Sequence, residues 1–145
     1  MITRLEKNWL NLSLGEIHCP AEATSFRHDC THYLSSQQVA ILSKALSLNE
    51  LLDPKSNLVF PAKSKRHCIP AITRERAMPG LTGHVLRNTY REVASSLGAP
   101  PETIRMLLNY RDQTSPRVRL TEYSGHLKAT QQKISDHLDK LTSMT

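Results

Sequence analysis

His84 and Arg87 stand three residues apart in the stretch Thr82-Gly83-His84-Val85-Leu86-Arg87-Asn88-Thr89-Tyr90, an imidazole and a guanidinium at the start of a helical pattern. Residues at i and i+3 are neighbours on a helix surface. The first helical turn also offers unpaired backbone N–H groups and the positive end of the helix dipole. Arg87 adds a planar fork of donors matched to two phosphate oxygens. The chemistry this suits is the gripping of a phosphate. Taken alone, His-x-x-Arg reads equally as a helix-start residue and a solvated surface charge, so its surroundings must give it weight.

Those surroundings are helical. Leu86, Tyr90, Val93 and Leu97 recur at the spacing of one buried helix face, and Gly98 supplies a stop signal. After Ala99-Pro100-Pro101, with Pro101 acceptable at a first helical position, Glu102 to Tyr110 reads as a second short helix with Ile104, Leu107 and Leu108 facing inward.

The run from Leu81 to Tyr110, with Leu-Thr-Gly-His-Val-Leu-Arg-Asn-Thr-Tyr, a helix ending in Leu-Gly, and Leu-Leu-Asn-Tyr, resembles the catalytic core of tyrosine recombinases of the phage-integrase type. The likeness extends to Leu34-Ser35-Ser36-Gln37-Gln38-Val39-Ala40-Ile41-Leu42 and to Asn57-Leu58-Val59-Phe60-Pro61, so that it covers most of the chain. It implies a DNA breaking-and-rejoining fold in which a tyrosine attacks a phosphodiester to form a phosphotyrosyl link. Arginines, a histidine and a lysine stabilise the transition state there. Carried over position by position, the resemblance implies that Arg87 contacts the non-bridging phosphate oxygens and His84 assists proton movement. Tyr110 stands where the family commonly has the histidine of Leu-Leu-Asn-His, and its phenol can still donate a hydrogen bond.

Several family positions depart from the pattern. An earlier arginine in a Gly-x-Arg-x-x-Glu segment is expected to precede the part of the family that Ile2 to Leu10 resembles, and Arg4 falls too late in register to replace it. The hairpin turn Ala21-Glu22-Ala23-Thr24-Ser25-Phe26-Arg27 contains no lysine. Arg27 is a poor substitute, because a guanidinium does not give up its proton to a leaving oxygen. The segment Asp112-Gln113-Thr114-Ser115-Pro116-Arg117 aligns with Asp-Val-Thr-x-Gly-Tyr and puts an arginine in the nucleophile's place. Tyr123, six residues further on, is the nearby alternative, set against a packing or surface role. Removing one preorganised donor commonly costs about 10²–10³ in rate, and several are missing from these positions, so an inactive chain is expected.

Composition is consistent with a nucleic-acid partner. The chain has 145 residues and a formal net charge of +6, with a sequence pI near 9.5, which points to a polyanion. Arg87, Arg91, Arg111 and Arg117 are the candidate DNA contacts, in a basic set that also includes Lys63, Lys65, Arg66, Arg74, Arg76, Arg105 and Arg119. No run approaches the length of a membrane span. No apolar region follows the first residues as in a signal peptide. Cys19, Cys30 and Cys68 lack a disulfide-framework spacing. A cytoplasmic protein with no membrane partner is expected.

The fold class expected is α+β, a mostly helical tyrosine-recombinase catalytic-domain fold with a small antiparallel sheet, as one partial domain over 1–145. Leu10 to Pro20 and Arg27 to Leu34 read as strands, with Gly15 turning within the first. Ser35 or Ser36 N-caps a helix that carries Val39, Leu42 and Leu46 inward and runs to about Leu48. Asp53 to Asn57 is loop, Pro61 to Pro70 a connection, and Ile72 to Met78 a short helix. Thr121 to Leu141 carries Leu127, Ile134, Leu138 and Leu141 on one side. That stripe packs on its own core or meets a second copy or an intact recombinase.

His18, Cys19, His28, Cys30 and His32 crowd the hairpin, but no Cys-x-x-Cys pair occurs, and adjacent His18 and Cys19 point to opposite faces. Ordinary strand residues, no metal site and no cofactor are expected. The functional expectation is therefore a DNA-binding remnant of a tyrosine site-specific recombinase that takes double-stranded DNA without cleaving it. The alternatives are an active integrase using a phosphotyrosyl intermediate, and a helix-turn-helix regulator reading DNA through the two helices joined at Gly98 to Pro101. A protein-interaction fragment that joins an intact recombinase through the C-terminal stripe is a further reading.

Overall fold

Short polar turns divide the amino-terminal half into strands too brief to stand alone, and a long helix closes them. The computed structural model describes residues 4–24, 27–62, 82–109 and 119–143. The class is α+β, with a three-stranded antiparallel sheet and four α-helices among the described residues. They fall into two compact units, Met1–Ala77 and Met78–Thr145.

In the first unit, β1 (Leu10–Asn11), β2 (Glu16–Cys19) and β3 (Cys30–Tyr33) lie side by side in chain order. Leu10 opposes Ile17 across the first pair, and Glu16, Ile17, His18 and Cys19 oppose Tyr33, His32, Thr31 and Cys30 across the second. Gly15 makes the first connection as expected. Its φ of +64° is open to glycine at little cost, and its carbonyl accepts from Leu34 N–H at 2.8 Å. The opening residues form a 3₁₀ turn at Lys7–Trp9.

Helix α1 (Ser36–Leu52) begins where the sequence places it and runs about one turn past Leu48. Ser35 is its cap. The Ser35 hydroxyl accepts from Gln38 N–H while the Gln38 side chain accepts from Ser35 N–H, a reciprocal capping box. Leu42, with Ala45 and Leu46, packs on a core built from Leu5, Ile17, Cys19 and Val59. Val59 arrives because residues 57–59 pair with the first described segment, through Lys7 N–H to Asn57 O and Val59 N–H to Leu5 O, both at 2.8 Å. Buried Asn49 braces this return by donating to the Leu58 carbonyl.

The second unit is helical. Helix α2 (Gly83–Ser96) starts at Thr82, whose hydroxyl accepts from Val85 N–H at 3.2 Å. It ends at Gly98, with φ +76°. Gly98 N–H bonds Ser95 O and Ala99 N–H bonds Ala94 O, both at 3.0 Å, the pair of bonds that closes a Schellman motif. Helix α3 (Pro101–Leu107) is shorter than the expected Glu102 to Tyr110. Its last turn stops as Asn109 takes a left-handed φ of 51°, a conformation asparagine tolerates better than most residues. Helix α4 (Arg119–Ser143) is the longest element. Ala94, Ile104 and Ile134 form the buried centre, with Tyr90, Val93, Leu107, Leu108 and Leu138 around it.

Three expected core residues lie at the surface instead. Leu86 is 54% exposed, Leu97 40% and Leu141 49%. Leu86, Leu97 and Leu141 lie outside the cluster that Ala94, Ile104 and Ile134 form. From the α4 stripe, Ile134 and Leu138 join the second unit's core, and Leu127 is 1% exposed. Among the described residues no helix is long and apolar enough to cross a membrane. The expected connection at Pro61 to Pro70 and short helix at Ile72 to Met78 lie almost wholly outside the described residues, which resume at Thr82.

Candidate nucleic-acid interface

The geometry of the His-x-x-Arg pair follows from the start of α2. Once Thr82 caps the first turn, His84, Arg87 and Arg91 fall at i, i+3 and i+7 of one helix, and all three are exposed. His84 Nε2 lies 3.0 Å from Asn88 Nδ2, an i to i+4 contact that orients the ring. Arg87 reaches off its own helix and donates from Nη1 to the Leu108 carbonyl at 2.9 Å. Leu108 is the residue that closes α3, where carbonyls lack intrahelical partners and the dipole's negative end attracts a cation. This bond fixes the guanidinium at the junction of α2 and α3.

Beneath that surface the same helix carries a second polar contact that periodicity alone did not reveal. The Tyr90 hydroxyl donates to Gln131 Oε1 of α4. Gln131 in turn donates to Ser135 Oγ at 3.4 Å. Burial pushes the Tyr90 phenol up to about 12, so this tyrosine is a neutral hydrogen-bond donor at neutral pH and a poor nucleophile. A Tyr and a Gln 41 positions apart give no signal of their partnership until α2 and α4 pack.

The remaining candidates are placed as follows. Tyr123 lies near the start of α4 with about half its surface exposed. Arg4 is exposed, as expected of a solvated charge; Arg27 is exposed too and has a left-handed φ of 52°. Tyr110, Arg111 and Arg117 lie outside the described residues. Within the second unit the structure thus brings His84, Arg87 and Arg91 onto one helix and ties Arg87 to the end of α3, two residues before Tyr110.

In the hairpin, His18 and its neighbours separate by face. His18 Nδ1 is 3.1 Å from Thr31 Oγ1, and His18 Nε2 is 3.1 Å from Glu16 Oε2. Cys19, Cys30 and His32 gather on the opposite, inward side. His28 falls before β3 begins, and its N–H and carbonyl both bond the Thr24 hydroxyl. Comparison of the chain with models of known protein families, with curated proteins and with solved structures finds no match in any of the three.

Proposed function

We propose that this chain is a cytoplasmic, DNA-binding remnant of a tyrosine site-specific recombinase, one that holds the backbone of duplex DNA without cutting it. The observation that carries the reading is Arg87: it projects from the capped start of α2 between His84 and Arg91 and is held by the end of α3. Phosphate contacts of this kind position a protein on DNA without reading bases. The net charge of +6 supplies long-range attraction for the same polyanion. Strand cleavage is excluded from the proposal because Arg117 occupies the position of the family's nucleophile. Contact with a second copy or an intact recombinase is assigned to the exposed end of α4 at Leu141.

The experiment is duplex binding followed by fluorescence anisotropy across a salt series. Two phosphates neutralised by Arg87 and Arg91 give a slope of log affinity against log salt of about −1.8, and Arg87→Ala flattens it by about 1. Arg4→Ala leaves the slope unchanged. Affinity indifferent to salt, or equal effects of the two substitutions, overturns the reading. The half-exposed phenol of Tyr123 makes an active enzyme the second reading, and a nicked suicide substrate separates the two. No covalent adduct is expected. An adduct lost in Tyr123→Phe establishes Tyr123 as the nucleophile and replaces the proposal.

A further inference from the structure

Three side chains that look like ordinary strand residues in the sequence converge on the core face of the β2–β3 ribbon. Cys19 and Cys30 are directly opposed across the antiparallel pair, so their side chains leave the sheet on the same face. His32, two residues beyond Cys30, joins them on that face. The two sulfurs and an imidazole nitrogen all lie within 4.8 Å of one another, and Cys30 Sγ stands 3.6 Å from His32 Nε2. Zinc bonds of about 2.3 Å to sulfur and about 2.0–2.1 Å to nitrogen, at tetrahedral angles, set neighbouring sulfur and nitrogen ligands about 3.6 Å apart and two sulfurs about 3.8 Å apart. The observed Cys30–His32 separation matches the sulfur–nitrogen spacing of a bound ion, and Cys19 lies within 4.8 Å of both.

We propose that Cys19, Cys30 and His32 form a binding site for one soft d¹⁰ metal ion, with Zn(II) as the first candidate, held by two thiolates and one imidazole. The absence of a Cys-x-x-Cys pair argues against zinc only when both ligands must come from one turn. Here antiparallel register supplies from two strands what a knuckle supplies from one. The neighbouring histidines are placed elsewhere, His18 on the opposite face and His28 ahead of the strand. Cys19 is 1% exposed, whereas Cys30 and His32 are half-buried, so an ion enters from their side and the position beyond the three ligands remains for a water.

Uptake of one Zn(II) by the two thiols and the imidazole forms two Zn–S bonds and one Zn–N bond while releasing two protons to solvent.

The test uses the full chain, reduced and stripped with a chelator, then titrated with Zn(II) in competition with a chromophoric chelator and separately with Co(II) alone. One equivalent should bind, with a thiolate-to-Co(II) charge-transfer band and protection of two thiols from alkylation. Cys30→Ser and His32→Gln should each weaken Zn(II) binding by more than about 100-fold, since loss of a ligand exceeds the ~10–100-fold cost of losing an outer-shell partner. Cys68→Ser should bind as the parent does. Far-UV circular dichroism checks that each variant folds. The Co(II) spectrum of the unsubstituted chain decides the question even where a variant does not fold. Absence of a thiolate-to-Co(II) band overturns the proposal, as does binding retained in His32→Gln and Cys30→Ser or abolished in Cys68→Ser.

Discussion

The second unit's packing predicts an unequal outcome for two residues that the sequence treats alike. Ile134 and Leu141 lie on one apolar stripe of α4, yet Ile134 is 0% exposed and Leu141 is 49% exposed. Ile134→Ala removes three carbon atoms from the contact with Ala94 and Ile104. At about 0.8 kcal/mol per buried methylene the transfer loss is about 2.4 kcal/mol. Residual cavity adds to this where the helices cannot close on it, so the expected cost is about 3–4 kcal/mol, inside the measured range for such truncations. Leu141→Ala removes as many carbons from a half-exposed site and opens no cavity. Its expected cost is about 1 kcal/mol or less. Urea unfolding of the full chain, read by far-UV circular dichroism, measures both. The Ile134→Ala midpoint should fall by several times the Leu141→Ala shift. Equal losses at low protein concentration would refute the packing argument. A Leu141→Ala cost that grows with protein concentration instead identifies a second copy covering that end of α4.

Two further outcomes follow from local geometry. Ser35→Ala should cost about 1 kcal/mol by breaking the capping box of α1, whereas Ser36→Ala, one position inside the helix, should be nearly neutral in the same unfolding assay. Tyr90→Phe should cost about 1 kcal/mol by removing the hydrogen bond to buried Gln131. Because the folded phenol titrates near 12 and an ordinary one near 10, the parent's stability should hold up to about pH 10 and fall between pH 10 and 12, a loss missing from Tyr90→Phe. A 295 nm titration with every tyrosine ionising near 10 would contradict the burial of Tyr90.

Local signals in the chain were enough to locate the ends of several elements. Ser35 and Gly98 each act on backbone groups within a few residues, so their effects are written in adjacent positions, whereas the Gln38 half of the capping box and the Thr82 cap emerged only in the structure. The same holds for Gly15, and for the exposure of His84, Arg87 and Arg91 on the polar side of α2. Periodicity likewise put Leu42, Ile104 and Ile134 inside.

What the sequence by itself determined is therefore the short-range part: caps, turns, helix faces and the placing of His84 beside Arg87. Only the tertiary structure decided which residues of a face are covered, leaving Leu86, Leu97 and Leu141 exposed, because coverage depends on which other elements pack against them. It also joined Tyr90 to Gln131, Arg87 to the Leu108 carbonyl, and Cys19 to the face of Cys30 and His32. Each of these partnerships depends on strand register or helix crossing. A shift of one residue in β3 would turn Cys30 and His32 away from Cys19, and no pattern within a single segment encodes that choice.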